Sequence, residues 1–190
     1  MTETASGPAP QEEQEDKSAS SSQAPSLSSP VWSGVRASSA RQIPACQPYD
    51  ALVSTPAGMI PIGRLVADDA VGAKVHDAHG TTRIVATKAA GVREVLRLHT
   101  TSGLVLDATP DHLVWRAADL DVGEFTVAGF IRPGDRLLHV DPDVGGSDRR
   151  TVEVRRVERL GDMEVYDIQT ESGEYLSGSL RVHDCPHPGH

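Results

Sequence analysis

Residues 165–185 read VYDIQTESGEYLSGSLRVHDC: a β-branched run, a Glu-Ser-Gly turn, further short runs, and a closing His183-Asp184-Cys185 triplet. The chain holds one other cysteine, Cys46. Between the two thiols the same texture recurs. Runs such as TTRIVATKAAG (81–91), VREVLRLHTTSG (92–103), LVLDATPDH (104–112), FIRPGDRLLHV (130–140) and TVEVRRVERLGD (151–162) are short and punctuated by Gly, Pro and Asp. Apolar and polar residues alternate around Val95-Leu96-Arg97-Leu98-His99 and again at Val152-Glu153-Val154. Many short strands with regular turn signals predict an all-β domain.

Outward from these strands, DAHG (77–80) and TTSG (100–103) read as hairpin turns. A helix of one or two turns is expected only around residues 62–69. The stretch 141–150, DPDVGGSDRR, has no strand pattern and is expected as a surface loop. Residues 1–45 are rich in Ser, Pro, Glu and Gln and bury too little apolar surface to offset chain entropy, so a disordered tail is expected there. The remainder, 46–184, is expected to form one domain, with 185–190 a short tail.

With 38% hydrophobic and only 4% aromatic residues, the core must rest on Val, Leu and Ile. The net charge is −9, and residues 46–190 carry 22 acidic against 15 basic residues. That balance argues against nucleic acid, whose phosphates need clustered Lys and Arg. No apolar run approaches the roughly 20 residues of a membrane span. Two cysteines are too few for a secreted disulfide framework. The expectation is a cytoplasmic monomer without a cofactor.

The chemistry-bearing residues cluster at the two ends of the domain. Cys46 can attack the carbonyl of Ala45 and convert that peptide bond to a thioester, provided the departing amide nitrogen is protonated. Thr109-Pro110-Asp111-His112 offers a hydroxyl and an imidazole on one tight turn, and imidazole titrates near neutrality. Taken alone, His112 reads first as a core or capping histidine before Leu113-Val114-Trp115. At the far end, His183 can protonate a leaving group while Asp184 attacks its own carbonyl, and Cys185 can accept an acyl group by thiol exchange.

These residues together resemble a mini-intein, a protein-splicing element of the Hint fold shared with Hedgehog autoprocessing domains. Cys46 followed by Ala51-Leu52-Val53 and TPAGMIPIGRLV is similar to the first intein block, and Thr109-x-x-His112 to the TxxH block. Arg132-Pro133-Gly134-Asp135-x-Leu137 is similar to the PGD block, and Val165-Tyr166-Asp167-Ile168 with Val182-His183-x-Cys185 to the last blocks. The texture is similar to inteins of adenosylcobalamin-dependent ribonucleotide reductases. No endonuclease motif interrupts the chain, and 141–150 lies where one would be inserted. The resemblance implies a Hint horseshoe of short strands and single-turnover splicing of the chain's own flanks. It also implies that Asp167 assists thiol exchange between Cys46 and Cys185.

Two positions depart from the family. Inteins end in Asn, whose amide closes to a succinimide, and here Asp184 stands in that place. A histidine of the block after Tyr166-Asp167 is replaced by Gly173. Both changes fall on the C-terminal steps, so N-terminal cleavage or slow splicing is expected over efficient splicing. The short flanks suit a fragment or relic of a larger host gene. Three other readings stay open: a catalytically silent Hint domain that only folds or binds, a zinc site at His183, Cys185, His187 and His190, and a Cys46–Cys185 disulfide acting as a redox lock.

Overall fold

Period-two alternation becomes strand along most of the chain. The computed structural model describes residues 46–142 and 148–184; the expected tails 1–45 and 185–190, Cys185 included, lie outside the described residues. The first elements are short: β1 (Gln47–Pro48), β2 (Leu52–Thr55) and β3 (Gly58–Pro61) lead into α1 (Ile62–Ala67). The helix falls where expected and buries Ile62, Gly63 and Leu65. Gly63 has to be glycine, because a Cβ there would come within 2.0 Å of the Tyr49 ring.

β4 (Lys74–Asp77) then turns into β5 (Gly80–Thr100), which turns into β6 (Val105–Ala108). Both turns are the expected hairpins. Asp77 pairs with Gly80, and its Oδ1 accepts the His79 N–H at 2.8 Å. Next come β7 (Leu113–Ala117), β8 (Gly123–Val127), a 3-10 turn at Ala128–Phe130 that the sequence did not suggest, and β9 (Arg136–Asp141). β10 (Asp148–Thr170), β11 (Glu174–Ser177) and β12 (Leu180–His183) complete the described chain.

Two expectations are corrected. Not every strand is short: β5 has 21 residues and β10 has 23. Gly91 and Gly161, which read as turns between runs, have φ of 80° and 89° inside continuous strands. The β5–β10 ladder slips beside each, between Glu164 and Tyr166 and between Arg159 and Gly161. A glycine in the left-handed region absorbs such a bulge, so the strand bends without ending. Nor is 141–150 a bare loop. Asp141 pairs with Asp148 and Val140 with Arg149, so the β9–β10 hairpin runs into both ends of the segment. Main-chain ladder bonds tolerate charged side chains on an exposed edge, which is why hydropathy does not reveal them.

β10 is the strand that connects everything. From Asp148 to Glu153 it pairs with β9, from Val154 onward with β5, and at Val165 and Tyr166 also with β1. The turn Arg132-Pro133-Gly134-Asp135 is sewn to the crossover: Gly134 N–H donates to Val154 O at 2.8 Å, and Val154 N–H to Asp135 O at 2.7 Å. Val53, Ile62, Leu98, Leu106, Leu137, Val154, Ile168 and Leu180 lead the core, joined by one fully buried aromatic residue, Tyr175. Each such side chain stabilises the fold by roughly 1.5–3 kcal/mol. No helix among the described residues is long and apolar enough to cross a membrane.

Candidate functional site at the two chain junctions

Cys46 precedes β1 and is fully buried against Val95 and Val165. Its main chain is clamped to Thr109 in both directions. Cys46 N–H donates to Thr109 Oγ1 at 3.0 Å, and Thr109 N–H donates to Cys46 O at 2.8 Å. The first of these nitrogens belongs to the Ala45–Cys46 peptide bond, so the Thr109 hydroxyl touches the atom that an acyl shift would release.

Thr109 owes its position to a turn that follows β6. His112 N–H closes it on Thr109 O at 3.0 Å. The 3-10 turn braces it, with Gly129 N–H on Pro110 O and Ala128 N–H on His112 O, both at 2.7 Å. Arg93 holds Asp111 from outside at 2.8 Å. Thr109 and His112 are both fully buried. Gln47 pairs with Tyr166 and Pro48 with Val165; carrying that register one step back sets Cys46 opposite Asp167, itself 3% exposed.

The C-terminal junction is built from charge. Asp184 Oδ2 accepts Thr170 N–H at 2.6 Å and the Thr170 hydroxyl at 3.0 Å. Asp184 N–H donates to Gly173 O at 3.1 Å. Burial pushes the Asp184 carboxyl above the usual carboxylate range, against the pull of both Thr170 donors and of His183. His183 Nδ1 lies 2.6 Å from Asp184 O. A carbonyl oxygen only accepts, so this contact puts the ring proton on Nδ1. It aims that proton at the carbonyl of the Asp184–Cys185 bond rather than at its nitrogen.

An aromatic column sets the His183 ring. Phe125 meets it edge-to-face with centroids 4.9 Å apart, Trp115 meets Phe125 at 5.0 Å, and the Arg181 guanidinium covers Trp115 at 4.0 Å. Arg181 is anchored by Glu174, with bonds of 2.8 and 2.6 Å to Oε2. At Gly173 a Cβ would stand 3.7 Å from both Cε1 and Nε2 of His183. The position where the resemblance expects a second histidine therefore faces the first.

The two junctions share one strand. Asp167 and Thr170 are three residues apart on β10, about 10 Å at strand rise. Sequence reasoning missed Thr170 and also Gln47. The Gln47 side chain is fully buried and saturated: Tyr175 OH donates to Oε1 at 2.8 Å, and Nε2 donates to Ser177 Oγ at 2.8 Å and Asp107 O at 2.9 Å. A polar residue directly after the cysteine was the only signal available. Cys185, His187 and His190 lie outside the described residues, and with them the zinc and disulfide readings. Among the described residues no group of three His, Cys, Asp or Glu is placed to hold a metal ion.

No family model and no curated protein matches the sequence. Solved structures do match. A DnaB intein from Synechocystis sp. PCC 6803 superposes with a TM-score of 0.65 at 15% identity, covering 74% of this chain and 98% of that one. The gp41-1 intein gives 0.60 at 18% identity, over 74% and 98%. A bacterial intein-like domain from Clostridium thermocellum gives 0.59 at 21% identity, over 73% and 98%. Identities this low speak for architecture alone, and the architecture they agree on is the Hint fold of mini-inteins.

Proposed function

We propose that residues 46–184 form an autoprocessing domain that rearranges peptide bonds of its own chain, once per molecule. The observation that carries this reading is the bond from Cys46 N–H to Thr109 Oγ1 in a fully buried setting. Cys46 Sγ attacks the Ala45 carbonyl carbon; the carbon–nitrogen bond breaks and the nitrogen gains a proton, leaving a thioester. Thr109 fixes that nitrogen, and His112 on the same turn supplies the acid. The Cys185 thiol takes over the acyl group, losing its proton with help from Asp167.

Asp184 then attacks its own carbonyl, with His183 on the carbonyl oxygen. As the bond to Cys185 breaks, the proton that His183 lends to the carbonyl oxygen passes to the departing nitrogen, and water opens the resulting cyclic anhydride. With Asp184 and Gly173 in place, the first step outruns the last, and N-terminal cleavage dominates over splicing. The reaction needs no cofactor, nucleic acid or membrane. It suits a monomer in a reducing cytoplasm, where both thiols stay reduced. The proposed host, on sequence likeness, is an adenosylcobalamin-dependent ribonucleotide reductase.

The test is intact mass of the purified chain incubated with and without a small thiol. Thiol-dependent loss of residues 1–45, absent in Cys46→Ala, is the expected result. An unchanged mass in the parent chain would leave a catalytically silent Hint domain.

A further inference from the structure

We propose that Thr170 is a positioning residue for the C-terminal junction, deciding which atom of the residue-184 side chain faces the Asp184 carbonyl. This deepens the autoprocessing reading and rests on it. Thr170 approaches Asp184 with two donors, its N–H at 2.6 Å and its hydroxyl at 3.0 Å, and both fall on the same oxygen, Oδ2. The other oxygen, Oδ1, is left 3.6 Å from His183 Nδ1. That nitrogen in turn lies 2.6 Å from the Asp184 carbonyl oxygen. One oxygen is tethered, and the other lies on the side of the His183 nitrogen that meets the carbonyl.

A threonine hydroxyl has a single proton, and Thr170 Oγ1 also lies 3.0 Å from Glu174 O. Ser172 eases the competition: its Oγ donates to the same Glu174 carbonyl at 3.1 Å, so that oxygen stays satisfied when the Thr170 proton goes to Asp184. The clamp would act equally on an asparagine. An amide NH2 cannot accept the Thr170 N–H, so in Asp184→Asn the new side chain has to turn its oxygen toward Thr170 and its nitrogen toward the carbonyl. Attack by that nitrogen closes an aminosuccinimide, breaks the bond to Cys185, and passes the amide proton to the departing amine. With the native carboxylate, Oδ1 attacks instead, the bond to Cys185 breaks with its nitrogen protonated by way of His183, and one water is consumed on opening the anhydride.

The experiment compares Asp184→Asn alone with Asp184→Asn carrying Thr170→Val or Thr170→Ser, reading both junctions by intact mass. Valine removes the hydroxyl and keeps the shape, and Glu174 O retains Ser172. The expected result is C-terminal cleavage to a succinimide-ended product in Asp184→Asn. Valine should slow it roughly ten-fold, the scale of one lost hydrogen bond, and serine should restore it. Thiol-dependent N-terminal cleavage should persist in every chain of the set and report intact folding. Equal C-terminal rates for threonine and valine would overturn the proposal, as would an inert Asp184→Asn whose N-terminal cleavage proceeds. Loss of cleavage at both junctions in every chain would instead sink the autoprocessing reading. In the unsubstituted chain, cleavage in ¹⁸O-water should place label in the Asp184 carboxyls, and its absence from cleaved product would also overturn the assignment.

Discussion

Around Cys46 the amide nitrogen and the carbonyl are both bonded to Thr109, and Cys46, Thr109 and His112 are all fully buried. Around Asp184 a carboxyl sits in a buried site beside an imidazole with 31% of its side-chain surface exposed. One junction is organised by main-chain bonds to a threonine and by close packing. The other is organised by a carboxyl whose charge burial disfavours, with a glycine at 173 whose Cβ, were it present, would rest on His183. Preorganised dipoles in a dry site stabilise a developing charge without reorganising, whereas a buried ionised group uses its interactions to offset its own lost solvation. The N-terminal junction therefore depends on parts that fail outright, and the C-terminal junction on parts that can be tuned.

The sharpest contrast comes from His112→Ala. Loss of the general acid should slow thiol-induced N-terminal cleavage by roughly 10²–10⁴-fold, followed by intact mass over time. A change below about threefold, well under that range, would take His112 out of the machinery and leave Thr109 as the only organiser. At the other junction the expected change is a gain. Asp184→Asn with Gly173→His should cleave at residue 184 faster than Asp184→Asn alone, although histidine at a φ of 78° costs about 1–2 kcal/mol of stability. Equal rates for the two would mark the carboxylate as the sole lesion.

Gln47→Leu probes whether the N-terminal junction is held by packing alone. It removes the acceptor of the Tyr175 hydroxyl and the donor to Ser177 Oγ in the interior, so urea denaturation in a Cys46→Ala background should show a loss of roughly 1–3 kcal/mol. Retained stability would make that network dispensable.

The smallest effect is a pH slope. Burial raises the pKa of the Asp184 carboxyl, so folding favours its neutral form relative to the unfolded chain. That contribution is complete below the ordinary aspartate range and is lost as pH climbs through the raised value. Cys46→Ala should therefore lose stability relative to Cys46→Ala/Asp184→Ala as pH rises from about 3 toward 7, measured by denaturant midpoints. The opposite slope would mean that the two Thr170 donors outweigh burial.

Much of this molecule could be read from local signals. Alternation of period two marks the strands, the Asp77 and Thr100 turns announce their hairpins, and Ile62 to Ala67 is helical where expected. The spacing of Thr109 and His112 places a hydroxyl and an imidazole on one turn because four residues suffice to define it. Glycine is where local reading goes astray. Gly91 and Gly161 can end a strand or bend it, and only the partner strand decides which.

The remaining features rest on residues far apart in the chain. Cys46 meets Thr109 across 63 positions, and Gln47 meets Tyr175 and Ser177 across 128 and 130. Which donor reaches which acceptor depends on strand register, and one residue of slip would send every side chain of a strand to the opposite face. Composition and spacing thus mark most of the strands and the candidate reactive side chains. The seating of both junctions on β10, and the choice of Asp184 Oδ2 over Oδ1 by Thr170, come from the packed sheet, because register is a property of all the strands at once.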